Sequence, residues 1–98
     1  DAKLLERLGC FAIVLEKIPA ELAKKVASQL KIPVIGIGAG SSVDGQVLVL
    51  HDMLGMTYEF NPRFLRRYMN LFESMTNAIG EYISDIKTCE FPNDEEQY

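Results

Sequence analysis

Glu16 is the residue of this chain whose position most favours catalysis. It follows an uninterrupted apolar run, residues 11–15, that is too short for a helix and rich in strand-forming residues. A carboxylate at the carboxyl end of a buried parallel strand lies where many α/β enzymes hold their catalytic groups, and partial burial would make it a better base. The same position suits a carboxylate that caps a helix beginning near Pro19, or one that pairs with Lys17. The residues alone leave these interpretations open.

A glycine-rich turn follows a second apolar run, residues 34–37, with glycines at Gly36, Gly38 and Gly40. Such a turn at the end of a parallel strand can hold a phosphate. However, neither the phosphate-loop pattern G-x-x-x-x-G-K-[ST] nor the dinucleotide pattern G-x-G-x-x-G is present. The turn therefore favours close backbone packing, and Gly38 and Gly40 are weak candidates for substrate binding.

His51, the single histidine, is followed by Asp52, and Ser41 and Ser42 lie not far before it in the sequence. These residue types suggest a hydrolase triad, but neither serine lies in a G-x-S-x-G elbow. His51 falls within an apolar segment, so we predict that it is buried and has a hydrogen-bonded structural role.

The elements that must position Glu16 alternate between helix and strand. Residues 1–9 have the pattern of the end of a helix, with Gly9 as its stop. The strand at 11–15 is followed by a helix that begins near Pro19 and carries apolar residues every four positions. The strand at 34–37 completes a β-α-β unit of the length that a right-handed parallel crossover requires. The predicted fold class is therefore α/β with a parallel sheet.

The run Val47–Leu50 fits either a buried strand or part of a buried helix. A parallel strand there would follow the preceding one after only about eight residues, whereas a parallel crossover takes a dozen or more. We therefore predict a short helix from about Asp44 to Leu54, with Asp44 as its cap and Gly55 as its stop, and a brief strand near Met56–Tyr58.

Residues 61–87 are predicted to form one long C-terminal helix. Asn61 followed by Pro62 is a strong helix start, and an apolar stripe then continues for about seven turns. Gly80 is a place where this helix can bend or split. The acidic tail, residues 88–98, is predicted to be a surface strap or disordered. Three arginines begin the polar face of the helix and favour a solvated face or a subunit contact over a nucleic-acid patch: Arg63, Arg66 and Arg67.

The composition limits the classes of function. With 98 residues, 48% of them hydrophobic, the chain can form one modest domain. Its net charge of −4 gives no general attraction to nucleic acid or to an anionic membrane, and no apolar run approaches the ~18 residues of a membrane span. Cys10 and Cys89 lack metal-site spacing, which favours a reduced intracellular pair. Because the chain begins at Asp1 without a signal segment, we expect it to be a piece of a longer protein.

Beyond these patterns, the sequence resembles the C-terminal part of ketopantoate hydroxymethyltransferase (3-methyl-2-oxobutanoate hydroxymethyltransferase). The likeness rests on VIGIGAG followed by DGQVLVLHDMLGM, with FAIVLEKIPAELAKKV upstream and PRFLRRYMNL and CEFPNDEEQY downstream. It covers essentially the whole chain. The resemblance implies the C-terminal portion of a TIM (β/α)8 barrel, about three βα units of a fold of roughly 250 residues. Residues 11–57 would then hold the last barrel strands and helices.

The resemblance also implies a reaction. Members of this family transfer a hydroxymethyl group from 5,10-methylenetetrahydrofolate to 3-methyl-2-oxobutanoate, giving 2-dehydropantoate for pantothenate synthesis, and the glutamate that matches Glu16 is the general base. Mg²⁺ holds the keto acid through ligands outside this chain, while Gly38 and Gly40 would leave room for that substrate. The implied enzyme is a cytoplasmic homo-oligomer that binds a keto acid and a folate, and neither nucleic acid nor a membrane.

A non-enzymatic alternative stays open, in which the chain is an inactive partial barrel whose long helix serves assembly. On either interpretation, the 98 residues alone are expected to be inactive.

Overall fold

The computed structural model describes residues 1–98 and contains one parallel three-stranded sheet with strand order β1-β2-β3. The strands are β1 (Ile13–Glu16), β2 (Val34–Ile37) and β3 (Gly45–Gln46), and the helices are α1 (Ala2–Arg7), α2 (Ala20–Gln29), α3 (Leu50–Met53) and α4 (Leu71–Lys87). The α/β class with a parallel sheet is confirmed. None of the helices is long and apolar enough to cross a membrane.

The strands β1 and β2 form the centre of the fold. They pair from Ile13 opposite Val34 to Glu16 opposite Ile37, and the amide of Lys17 extends the ladder by donating to the Ile37 carbonyl at 2.8 Å. Ile13 and Val34 are buried, whereas Val14, on the other face of β1, is 62% exposed. The sheet is therefore covered well on one face only, because the chain supplies no element to cover the face that carries Val14.

Helix α2 makes the predicted crossover between β1 and β2. Pro19 precedes its first turn in extended conformation, and Ala23 is fully buried. At its other end, the Glu6 carboxylate of α1 accepts hydrogen bonds from the amides of Lys31 at 2.6 Å and Ile32 at 3.1 Å. This contact ties α1 to the turn that leads into β2.

The predicted helix over 44–54 is wrong in its first half, and no strand forms at 56–58. Instead, β3 pairs with β2, and Asp44 binds the start of β2: its carboxylate accepts from the Val34 amide at 2.8 Å, and its own amide donates to the Val34 carbonyl at 2.9 Å. Strand β3 is only two residues long. The loop between β2 and β3 therefore has to run back along β2 by only about 7 Å, at ~3.3 Å per residue. A short loop manages this return without a crossover helix.

The C-terminal helix begins at Leu71 and not near Asn61. Asn70 caps it: the side-chain oxygen of Asn70 accepts from the amide of Glu73 at 3.3 Å, and its amide nitrogen donates to the Glu73 carboxylate at 2.9 Å. Residues 61–70 are not helical, whereas α4 continues through Gly80 without a break.

The molecule is elongated. Its radius of gyration is 22.2 Å, whereas a compact chain of this length has about 13 Å. Helix α4 contains no buried residue although it carries a stripe of large apolar side chains: Phe72, Met75, Ile79, Tyr82, Ile83 and Ile86. The chain thus leaves much of its apolar surface uncovered.

Candidate active site

Glu16 is the last residue of β1, as the sequence predicts, and lies at the carboxyl edge of the sheet. The chain turns sharply after it, since Lys17 adopts a left-handed conformation with φ of 52°. A non-glycine residue in this region costs about 1–3 kcal/mol, and such residues cluster at functional sites. The turn keeps Glu16 at the end of the strand.

The side chain of Glu16 is exposed, so the partial burial that would make it a better base is not present in this chain. The cause is the face on which it lies, since Glu16 follows Val14 by two residues and shares the face of β1 that no element of the chain covers. The interpretation of Glu16 as a helix cap is wrong, since no side chain caps the N-terminus of α2. The Glu16 carboxylate is therefore open to solvent.

A cleft of about 1230 Å³ lies beside the carboxyl ends of the strands. One wall comes from the strand ends and the turns after them, including Lys17, Gly38 and Gly40, and the other comes from residues 62–68. Glu16 itself does not line the cleft, although the residue next to it does. The sequence predicted residues of the first wall but not the second, because it assigned residues 61–70 to a helix.

The glycines of the turn serve close packing, as predicted. Gly40 has φ of 80°, and a Cβ there would lie 2.5 Å from the Cβ of Ala20, at the start of α2. A Cβ on Gly38 would lie 3.1 Å from the ring of Phe64. Both glycines also line the cleft, and the Gly40 carbonyl accepts from the Gln46 side chain at 2.7 Å.

The three arginines of residues 62–68 divide into two kinds. Arg67 donates through Nη2 to the carbonyls of Thr57 at 2.9 Å, Tyr58 at 3.3 Å and Phe60 at 2.7 Å, and so fixes the chain before it. Arg63 and Arg66 are exposed and line the cleft. The prediction that all three form the polar face of a helix is therefore wrong. The only sequence signal for this wall of the cleft was the presence of two arginines, Arg63 and Arg66, on either side of Phe64.

Comparison with known proteins decides the family. The sequence model described as ketopantoate hydroxymethyltransferase matches residues 1–94. The chain belongs to this family. It is 69% identical over 98 residues to the 3-methyl-2-oxobutanoate hydroxymethyltransferase of Flavobacterium johnsoniae, 70% to that of Christiangramia forsetii and 68% to that of Bacteroides thetaiotaomicron. All of this chain is covered, and it spans 36% of the length of each relative.

His51 and the residues considered with it do not form a cluster. His51 is exposed, so its predicted burial is wrong, and its neighbour Asp52 is the buried one, at 9% exposure. Ser41 and Ser42 are exposed as well, and no side-chain hydrogen bond of the chain joins either serine to His51. The structure does not assemble a hydrolase triad from these residues.

The resemblance to the family implies Mg²⁺ for the whole enzyme, so the acidic side chains of this chain are of interest as ligands. Mg²⁺ needs near-octahedral oxygen ligands. No group of three or more His, Cys, Asp or Glu side chains lies close enough together to hold a metal ion. Cys10 and Cys89 are free thiols, both exposed.

Proposed function

We propose that residues 1–98 form the C-terminal part of a 3-methyl-2-oxobutanoate hydroxymethyltransferase built on a TIM (β/α)8 barrel, with Glu16 as its general base. The observation that carries the proposal is the family match over residues 1–94, within which a free carboxylate ends a parallel strand. Identity near 70% to relatives of that name supports the same reaction. The working enzyme would be a homo-oligomer in the cytoplasm.

In this proposal the Glu16 carboxylate removes the C3 proton of 3-methyl-2-oxobutanoate, which the neighbouring keto group acidifies. The C3 carbon then attacks the methylene carbon of 5,10-methylenetetrahydrofolate. This attack breaks one C–N bond of the methylene bridge, and a water molecule then displaces the second folate nitrogen and supplies the hydroxyl group of 2-dehydropantoate. The two nitrogens of the departing tetrahydrofolate take up the proton removed from C3 and one proton of the water. A carboxylate suits this role because its oxygens can accept a proton and it lies at the strand end, where a substrate reaches it.

The Mg²⁺ of the reaction would stabilise the negative charge that the keto acid acquires when it loses its proton. The residues of this chain do not fit a magnesium site, so we assign its ligands to the rest of the enzyme. Within this chain, Gly38 and Gly40 would keep the strand ends clear for the keto acid.

The test of the base is proton exchange at C3. In the full-length protein, Glu16→Gln should slow exchange of the C3 hydrogen of 3-methyl-2-oxobutanoate with D2O, followed by NMR without folate, by about 10²–10⁴-fold. Glu21→Gln is the matched control, since Glu21 is an exposed glutamate in the first turn of α2. Exchange by Glu16→Gln at the wild-type rate would contradict the assigned role.

A second candidate is an inactive partial barrel that serves assembly, and the exposed apolar stripe of α4 favours it. The two candidates predict different reading frames upstream of Asp1. A reading frame that continues upstream of Asp1 through the remaining barrel strands supports the enzyme, and one that ends nearby supports the assembly module.

A further inference from the structure

The charges that line the cleft are of one sign. Lys17, Arg63 and Arg66 are among its lining residues, and no Asp or Glu is. The chain as a whole has fourteen acidic residues against ten basic ones, so this distribution is opposite to its average. A cleft lined by one sign of charge raises the local concentration of ligands of the other sign. The cleft is therefore suited to an anion.

The two arginines are held in place by their segment. The ring of Phe64, which lies between them in sequence, packs over Gly38, and the amide of Tyr68 donates to the Met53 carbonyl at 2.8 Å. Arg67 is occupied by the three backbone carbonyls before it. Arg63 and Arg66 are thus the guanidinium groups of this wall that remain for a ligand, and guanidinium binds carboxylates in bidentate fashion.

The position and size of the cleft indicate which carboxylate. The carboxylate of the keto acid is close to its reacting carbon and must stay close to Glu16, beside the wall that the strand ends form, whereas Arg63 and Arg66 belong to the other wall. The folate carries its glutamate carboxylates at the end remote from its methylene group. At about 1230 Å³ the cleft also has room for a ligand far larger than a short branched keto acid. We infer that Arg63 and Arg66 bind the glutamate carboxylates of the folate cosubstrate, an inference that rests on the proposed function.

The test compares three variants of the full-length protein: Arg63→Gln, Arg66→Gln and the double variant. Arg7→Gln is the matched control, since Arg7 is an exposed arginine on α1 that does not line the cleft. Each single variant should raise KM for 5,10-methylenetetrahydrofolate about tenfold, since a hydrogen bond to a charged group is lost. KM for the keto acid, and C3 exchange without folate, should stay within about twofold of wild type, as for a variant that removes uniform binding of one substrate. Arg63→Lys should retain part of the affinity because it keeps the charge.

Calorimetry with tetrahydrofolate separates failure of this inference from failure of the proposed function. If the full-length protein makes no 2-dehydropantoate, the proposed reaction is wrong, but weaker tetrahydrofolate binding by the double variant still supports the anion site. Unchanged binding, or no binding by wild type, overturns it. Two further results would overturn the assignment of Arg63 and Arg66 to the folate. One is a rise in KM for the keto acid in place of the folate, and the other is a loss of C3 exchange in Arg63→Gln and Arg66→Gln.

Discussion

Gly40 shows at the scale of one residue why the turn after β2 has the sequence that it has. Its φ of 80° disfavours residues with a Cβ, and Ala20 leaves no space for one. We predict that Gly40→Ala in the full-length protein lowers the free energy of unfolding by about 1–3 kcal/mol through backbone strain and overpacking. Urea unfolding measures this change.

The matched control for this prediction is Gly80→Ala. Gly80 lies within α4 at an ordinary helical φ, and no atom outside the adjoining backbone of α4 lies within 4 Å of the place of its Cβ. This variant should gain about 0.5–1 kcal/mol, because alanine favours a helix more than glycine does. Equal effects of the two substitutions would refute the packing role of Gly40.

Residue positions were predictable where strand ends fix them, and not where a short helix sets the direction of side chains. Glu16 lies at the end of its strand as predicted because an apolar run and a turn bound it on both sides. For His51 and Asp52 the apolar context was the same, yet neighbours in a helix point about 100° apart, so only one can face inward. In α3 that residue is Asp52. The sequence contains no signal that selects between them.

At the scale of elements, periodicity predicted β1, α2 and β2. The C-terminal half, in contrast, contains two residues at which a helix could begin. Asn61 and Asn70 both have the residue type of an N-cap, but only Asn70 has a glutamate three residues later that completes the reciprocal contact. The bonds of Arg67 to Thr57, Tyr58 and Phe60 hold the intervening chain in a non-helical form. Such contacts between turns follow from the fold and are not encoded in a local pattern.

The helix start gives a prediction at this scale. Asn70→Ala removes the cap of α4 and should cost about 1 kcal/mol of stability, whereas Asn61→Ala should stay within about 0.5 kcal/mol of wild type. Urea unfolding of the full-length variants checks both values. The reverse order would mean that α4 begins near Asn61 in solution.

At the scale of the whole molecule, uncovered apolar surface is the dominant feature. Phe11 and Val14 of the β1 region are 88% and 62% exposed, and Ile79 of α4 is 60% exposed. Large contiguous apolar patches mark interaction surfaces or aggregation sites, and an open sheet edge is a template for pairing. The apolar pattern of the sequence predicted these faces, and no element of the 98 residues covers them.

The isolated chain should therefore not persist as a monomer. A closed parallel barrel takes eight strands, and this chain forms three. Residues 1–98 expressed alone should self-associate or aggregate, as measured by sedimentation, and should form no 2-dehydropantoate, while the full-length protein folds and reacts.

Exposed apolar side chains drive this association, so Ile79→Glu on the stripe of α4 should shift the sedimentation toward smaller species. Asn77→Glu, at an exposed polar position of the same helix, should not. A compact monomer with a cooperative melting transition would refute the predicted association, and measurable 2-dehydropantoate from it would show that three strands suffice for the reaction.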